Sequence, residues 1–350
     1  MWHSLRTLWT SAPARTRPQR IQPRRRRPFL EQLEDRLTPS NFTAATVSDL
    51  IADINAANQA GGSNTITLVA GKPFTLTAVD NATDGATGLP VIAANDNLTI
   101  VGNGDTIARS TVAGTPAFRL FDVASGASLT LENLTVQGGL AIGPSFVTAA
   151  GGGIYNQGTL DLKGVTVQNN TAQGSVGGGA LGGGIYSGGA LMLQGTAIQN
   201  NQARGGVGRH GVGRGVSGGP GGNGLGGGLY VVGGTADLTS TSLSGNMAHG
   251  GNGGPGGGRG SSAGSPGPGG NGLGGGLYAA GGAVTLRNDS VIGNAASGGG
   301  PPLIAGVGEG GGLFIDPAAV VCLDSFTHAH VRNNTASSQD PNIHGPWKPC

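Results

Sequence analysis

The second half of the chain repeats one motif five times. Each copy opens with three glycines followed by an aliphatic and an aromatic residue, continues through alternating apolar pairs, and closes on Asn-x-Ala. The copies begin at Gly151, Gly182, Gly226, Gly274 and Gly310. A unit of about 24 residues made of short β-prone runs cannot bury its own apolar face, so it must stack on its neighbours as one coil of a solenoid.

The composition alone would suggest a different kind of chain. The sequence holds 72 Gly and 19 Pro in 350 residues, a proportion typical of low-complexity segments. The glycines come in runs and not at every third position along the chain, which excludes a collagen triple helix. Because the aliphatic residues lie almost entirely inside the repeats, the sequence favours an ordered core with disordered excursions.

Aligning the copies predicts which side chains share a column of the solenoid. The tyrosine position predicts an aromatic column. Its rings either pack on one another to stabilise the fold or form a platform on which sugars stack. A closing asparagine in one turn of every coil predicts amides that hydrogen-bond along the axis. The aromatic column comprises Tyr155, Tyr186, Tyr230, Tyr278 and Phe314, and the amide column comprises Asn170, Asn201, Asn246, Asn294 and Asn334.

The alternating apolar pairs of the repeats predict the core. In the first copy these are Leu160 and Leu162, then Val165 and Val167. The aligned positions of the next three copies are Leu191, Leu193, Thr196 and Ile198; Ala236, Leu238, Thr241 and Leu243; and Val284, Leu286, Asp289 and Val291. All of them should point inward and stack at the strand spacing of about 4.8 Å.

The repeated glycines need a structural cause. At about 0.5–1 kcal/mol for each glycine in a regular strand, the five GGG runs carry a penalty comparable with the stability of a domain. The sequence leaves two explanations open, a tight corner with positive φ and a backbone too close to the next coil for a Cβ.

All variation in repeat length falls between Asn-x-Ala and the next GGG. The aromatic residues are 31, 44, 48 and 36 residues apart, whereas the distance from aromatic to Asn is 15, 15, 16, 16 and 20. Every insert must therefore leave the solenoid at one corner. The two longest, 205–225 and 250–273, are rich in Gly, Pro and Ser, and predict a flexible fringe along one edge.

The N-terminal region divides into a basic leader and a cap. Residues 1–36 hold nine Arg and three acidic residues, a net charge of +6, which leaves −4 for the rest of the chain. We assign 1–40 to a disordered leader or export segment. The run 46–62 then predicts an amphipathic helix, with Thr46 or Ser48 as N-cap and Gly61 and Gly62 as the stop. This helix should cover the open end of the solenoid within a cap spanning 41–80.

Two resemblances add to this interpretation. The string RPFLEQLEDRLTPSNF resembles the LExLEDRL-type N-terminal segment of exported planctomycete-type proteins, which implies export. The unit GGGIYNQGTLDLKGVTVQNNTA resembles the GGxIY…NxA repeats of polymorphic outer-membrane proteins and related bacterial proteins of pectate-lyase-like fold, over about 42–338. That resemblance implies an all-β, single-stranded right-handed parallel β-helix over 41–338 with a short N-terminal capping helix, followed by a C-terminal tail, 339–350.

Few side chains of the sequence are placed to converge on a catalytic or metal-binding site. Asp161 and Asp237 align facing outward, but Met192 lies in the coil between them, so they should stand about 10 Å apart. Glycoside hydrolysis and calcium-dependent lysis both need converging carboxylates. The one His/Asp cluster is Asp316, Asp324, His328 and His330, with His328 and His330 expected on one strand face. Cys322 and Cys350 could close a disulfide or remain two free thiols.

These observations predict a non-catalytic exported or cell-surface protein with a structural or adhesive role. The alternative is a polysaccharide-active β-helix enzyme, either a pectate-lyase-like lyase or a glycoside hydrolase. We assign no catalytic, cofactor-binding or metal-binding residues, and expect no cofactor. The expected partners are surface glycans or envelope components. The body is mildly acidic and so offers no footprint for nucleic acid. The sequence has no apolar stretch long enough for a transmembrane helix, and we expect a monomer.

Overall fold

The computed structural model describes residues 40–258, 263–300 and 304–350. The predicted leader therefore lies outside the described residues, apart from Ser40. Within the described part, the chain winds into a right-handed parallel β-helix. A complete coil contributes one short strand to each of five parallel sheets, which we number I to V in the order in which the coil that begins at Ala149 meets them.

The sheets have the following strands. Sheet I contains Ala149–Ala150, Ala180–Leu181, Gly224–Leu225, Gly272–Leu273 and Gly308–Glu309. Sheet II contains Phe121–Val123, Ile154–Asn156, Ile185–Ser187, Leu229–Val231, Leu277–Ala279, Leu313–Ile315 and Ile343–His344. Sheet III contains Ser40–Ala44, Gly62–Leu68, Asp96–Val101, Ser128–Glu132, Thr159–Lys163, Ala190–Gln194, Thr235–Thr239, Gly282–Arg287, Ala319–Leu323 and Lys348–Pro349. Sheet IV contains Phe74–Leu76, Thr106–Arg109, Thr135–Gln137, Thr166–Gln168, Ala197–Gln199, Ser242–Ser244, Ser290–Ile292 and Val331–Arg332. Sheet V contains Leu140–Ile142, Thr171–Gln173, Gln202–Arg204, Met247–His249, Ala295–Ser297 and Thr335–Ala336.

The register of the repeats is the predicted one. Leu162 pairs with Leu193, which pairs with Leu238, and Leu286 continues the column. These side chains are at most 1% exposed and belong to one continuous core. The polar residues at aligned positions, Thr196, Thr241 and Asp289, are buried in the same interior. The predicted core is therefore confirmed, including its polar members.

An amphipathic helix, α1 (Val47–Ala60), lies at the start of the stack. The hydroxyl of Thr46 accepts a hydrogen bond from the Asp49 N–H (3.2 Å), while the Asp49 carboxylate accepts one from the Thr46 N–H (3.0 Å), which makes a capping box. Leu50, Ile54 and Ala57 are completely buried against the core. The predicted helix and its Thr46 cap are confirmed.

The closing asparagines form the predicted ladder. From Asn201 to Asn334, each Oδ1 accepts from the backbone N–H and from the Nδ2 of the Asn one coil earlier, at 2.9–3.0 Å. Each Nδ2 also donates to a backbone carbonyl of the preceding coil, as Asn201 does to Val167. The ladder continues beyond the repeats to Asn342, which the alignment missed. Because a buried amide must find partners, this column fixes both the register and the corner.

Both explanations for the GGG runs hold, at different positions. The first glycine of each run has positive φ, as in Gly182 (φ 61°), and forms the corner before sheet II. At the third glycine, a Cβ on Gly184 would lie 2.7 Å from the Gly228 carbonyl and 3.0 Å from the Asn201 amide. The corner therefore needs left-handed backbone, and the approach of the next coil leaves no room for a side chain.

The C-terminal end differs from the expected one. Residues 339–350, assigned from sequence to a tail, add one strand to sheet II and one to sheet III. Cys322 and Cys350 are joined in a disulfide, with Cα atoms 5.2 Å apart. The longer distance from Phe314 to Asn334 reflects a second helix, α2 (Ser325–His330), inserted before sheet IV. Neither helix of the described part has the length and apolar character needed to cross a membrane.

Candidate functional surface

The glycine-rich inserts form an ordered, hydrogen-bonded structure. We call it the glycine slab and define it by an outgoing layer (205–213, 250–258, 298–300) and a returning layer (217–223, 264–271, 304–307). Backbone hydrogen bonds join the two layers. Each bond connects the outgoing layer with the returning layer, and successive bonds lead from one insert to the next. Gly222 N–H donates to the Gly206 carbonyl, Gly251 to Gly222, and Gly270 to Gly251, each at 2.8 Å.

Within each layer the hydrogen bonds recur every third residue. Gly205, Gly208 and Gly211 donate to the next outgoing segment, at the carbonyls of His249, Asn252 and Pro255. Gly218, Gly221 and Gly224 likewise donate to Ser265, Pro268 and Asn271 of the returning layer. A period of three residues is that of a polyproline II chain. The slab is thus a lattice of extended chains and not a further β-sheet.

This lattice explains the glycines of the inserts. A Cβ on Gly251 would overlap the Gly206 carbonyl, and a Cβ on Gly270 would overlap that of Gly222. The interior positions therefore accept glycine alone, and every third residue faces outward and is free to vary. The expectation of a flexible fringe is wrong for the described part of the inserts, because its backbone groups are paired with those of neighbouring segments.

The outer face of the returning layer displays a second, smaller repeat. Ser217, Pro220 and Asn223 recur 48 residues later in the next segment. The recurring set is Ser265, Pro268 and Asn271. The side chain of Asn223 accepts a hydrogen bond from the Asn271 N–H (2.8 Å), so the outward residues are held in register.

The lattice ends where side chains replace glycine. Arg209 and Val212 hold the positions that Gly254 and Gly257 hold in the next outgoing segment, where each glycine donates to the returning layer. The preceding insert turns back at Gly177, which has positive φ, so it does not reach these positions. Side chains at the edge of a hydrogen-bonded array hinder the addition of another chain.

The aromatic column lies beside sheet II and is packed on both faces. The rings from Tyr155 to Phe314 are stacked with centroids 4.8–5.6 Å apart. His344 closes one end at 4.7 Å, and the guanidinium of Arg119 lies 4.8 Å from the ring centre of Tyr155 at the other. Because each ring face is covered, the column does not offer a platform for sugars. Burial raises the pKa of Tyr230 to about 12, so its hydroxyl stays protonated.

A charged cluster lies at the Tyr155 end of the column. Asp122 pairs in register with Tyr155 and is completely buried, with Arg119 Nη1 3.9 Å from its Oδ2. Burial raises the pKa of Asp122 to about 6, although the charge of Arg119 opposes the shift. Arg119 also donates to the carbonyls of Asp84 (2.7 Å) and Ala150 (3.1 Å). Arg119, Asp84 and Tyr155 line a cavity of about 300 Å³.

The carboxylates considered from sequence do not converge. Met192 pairs with both Asp161 and Asp237, so these residues are two coils apart as expected. Asp161 instead lies 3.3 Å from the Lys163 ammonium, which also contacts Glu132 at 3.2 Å. Asp161, Lys163 and Glu132 all lie on sheet III, and their ion pairs explain why these charges occur together.

The expected strand with His328 and His330 is instead helix α2. Asp324 caps this helix by accepting from the Thr327 N–H (2.8 Å), and residues two apart on a helix point in different directions. His328 packs on Trp347 and His330 on Phe326. Across the described ranges, no group of three or more His, Cys, Asp or Glu side chains is placed to hold a metal ion.

Compared with known proteins, the chain matches no family model, no curated protein and no solved structure. The architecture of stacked parallel sheets is therefore established by the structure itself. The resemblances to outer-membrane-protein repeats and to the planctomycete-type segment stay predictions from the sequence.

Proposed function

We propose that this protein is an exported, non-catalytic β-helix that serves as a structural or adhesive module at the cell surface or outer envelope. The observation that carries the proposal is the glycine slab. The chain devotes two long inserts to a rigid array of extended segments, and the array holds identical outward residues in register. Such a surface can present one chemical group repeatedly to a glycan or envelope polymer.

The organisation of the β-helix itself supports a scaffold. The side-chain amides of the asparagine column are occupied by hydrogen bonds between coils, and the faces of the aromatic rings are covered by one another. Ser217, Pro220 and Asn223, by contrast, stand on the outer face of the slab and are partly or largely exposed. Inserts on one face of a repeat protein are often its binding surface.

The test compares adhesion with catalysis in the full chain. We expect the protein to bind surface glycans or isolated envelope material without releasing any sugar product. Pro220→Glu and Pro268→Glu together should reduce binding, since two charges would interrupt the repeated face. Thr235→Glu, an exposed change on sheet III, is the matched control and should have no effect. Release of reducing or unsaturated sugars from a polysaccharide panel would refute the non-catalytic proposal.

One observation favours the alternative of a polysaccharide-active enzyme. The cavity beside Tyr155 brings a buried guanidinium, Arg119, near the exposed residue Asp84. A hydrolase needs two carboxyl groups and a lyase needs a base close to the sugar. If this cavity were catalytic, Asp84→Asn would abolish product release from the polysaccharide panel while leaving the fold intact.

A further inference from the structure

One exposed residue is not explained by the packing of the fold. Phe146 has φ 63°, a backbone conformation that bulky residues rarely adopt, and its side chain is 64% exposed. Gly177, whose Cβ would lie 2.8 Å from the Phe146 ring, leaves space for that ring. The fold thus holds a strained aromatic residue at the surface, where it gains little from burial. Strain of this kind points to a function outside the fold.

Phe146 belongs to a row of exposed apolar side chains. Its N–H donates to the carbonyl of Val176 (2.9 Å), and Gly177 N–H donates to that of Val207 (2.7 Å), so the three residues stand on successive inserts. Val176 is 39% exposed, Val207 55% and Val212, further out on the same insert as Val207, 74%. A group of large exposed apolar residues on a soluble face marks an interaction surface.

The charges around this row are basic. Arg204, at the end of the sheet V strand, precedes Val207, and Arg209 follows Val207 in the outgoing layer; both arginine side chains are exposed. Between residues 133 and 236 the one acidic residue in the sequence is Asp161. It lies on sheet III and contacts Lys163. Asp84, which shares the cavity lining with Ile142 and Val147, is the carboxylate at the border of the surface.

We propose that Phe146, Val176, Val207 and Val212, together with Arg204 and Arg209, form a patch that docks on an anionic lipid surface. We call these six residues the docking patch. The aliphatic and aromatic tips enter the boundary between headgroups and acyl chains, and the guanidinium groups remain with the anionic headgroups. This inference rests on the proposed surface role and names the partner that would hold the protein at the envelope.

The experiment is sedimentation of the full chain with vesicles. Vesicles of phosphatidylcholine with phosphatidylglycerol should carry the protein down, whereas phosphatidylcholine alone should bind it at least fivefold more weakly. Arg209→Gln should weaken binding to the anionic vesicles about fivefold, and raised salt should weaken the wild-type protein in the same direction.

Apolar variants test the other half of the docking patch. The double change Val207→Ser and Val212→Ser should weaken vesicle binding at least tenfold with an unchanged melting temperature. Phe146→Asn should also weaken binding, and asparagine accepts the left-handed backbone, so the fold is kept. Val112→Ser is the matched control, since Val112 is 73% exposed and is not one of the six residues of the docking patch.

The inference would be overturned by equal binding of all variants, by equal loss in the Val112→Ser control, or by binding without preference for anionic vesicles. Self-association that Val207→Ser and Val212→Ser abolish, in a protein that does not bind vesicles, would assign the patch to a second copy instead. Sugar release from polysaccharides would refute the proposed function but leave the vesicle result standing. Glycan binding without vesicle binding would refute this inference alone.

Discussion

The asparagine ladder allows the sharpest test of how the coils are held together. We expect Asn201→Ala to lower the free energy of unfolding by at least about 3 kcal/mol. The Asn201 Oδ1 accepts from the backbone N–H and from the Nδ2 of Asn170, both at 3.0 Å. Its Nδ2 donates to the Val167 carbonyl at 2.9 Å. The same Nδ2 donates to Asn246 Oδ1 at 3.0 Å. The change would therefore remove a partner from four buried groups.

The magnitude follows from those four groups. Each buried polar group that loses its partner costs about 1–3 kcal/mol, because the group was desolvated on folding and regains nothing. Asn170 Nδ2 keeps a second bond, to the Val136 carbonyl at 3.2 Å, so the low end of the range applies to that atom. The sum is still a large part of the stability of an ordinary domain.

Urea unfolding followed by far-ultraviolet circular dichroism measures the effect. The matched control is Asn200→Gly, because Asn200 is the adjacent exposed asparagine and its positive φ of 54° suits glycine. We expect the control to change the free energy of unfolding by less than about 0.5 kcal/mol. If Asn201→Ala and Asn200→Gly had the same midpoint, the ladder would contribute nothing to stability and the argument from buried partners would fail.

Three further perturbations probe the interior, the slab and the disulfide. Burial raises the pKa of Asp289 to about 7 from 3.8, so this carboxyl should lower the free energy of unfolding by up to about 4 kcal/mol as pH rises from about 4 to about 7. Asp289→Thr should remove this contribution and leave the smaller fall that Asp122, with a pKa of about 6, causes over the same range. A variant that loses as much stability as the wild-type chain between about pH 4 and about pH 7 would contradict the prediction. Gly251→Ala should lower the thermal midpoint, because its Cβ would overlap the Gly206 carbonyl of the preceding insert. Gly233→Ala, with open space at its Cβ, should not lower it. Equal midpoints of the two variants would mean that the slab is not packed. Cys350→Ser opens a loop of 28 residues and should lower the free energy of unfolding in urea by about 3 kcal/mol. A reductant should have the same effect on the wild-type chain. An unchanged urea midpoint would show that the disulfide does not stabilise the last coil.

The repeats were readable from sequence because stacking places equivalent residues in register. Tyr155 and Tyr186 share a column for the same reason that Leu162 and Leu193 do, since a shift of one residue would turn every core side chain outward. The Thr46 cap was also visible, because capping depends on residues close in sequence. What these patterns could not supply was the role of the surface.

The glycine slab was missed because its composition is that of a flexible linker. Its period is three, whereas the alternation used for the strands is two. The signal that could have revealed it is the recurrence of Ser217, Pro220 and Asn223 at the same spacing in the next insert. Helix α2 was not predicted for a different reason, because His328 and His330 also fit the period-two spacing of a strand. Asp324, which caps that helix, was the local signal.

The slab also has a mechanical consequence. Its segments join each long insert to the next through backbone hydrogen bonds, as in Gly254 to the Gly219 carbonyl at 2.9 Å, so these coils are tied at a second site outside the barrel of sheets. Two parallel columns of bonds, set apart from one another, resist bending more than one column does. In single-molecule pulling along the axis, we therefore expect the coils between residues 205 and 273 to extend at a higher force than those between 96 and 142. A solenoid stiffened along one edge would bend towards the side without the slab, so its resistance to bending would depend on direction.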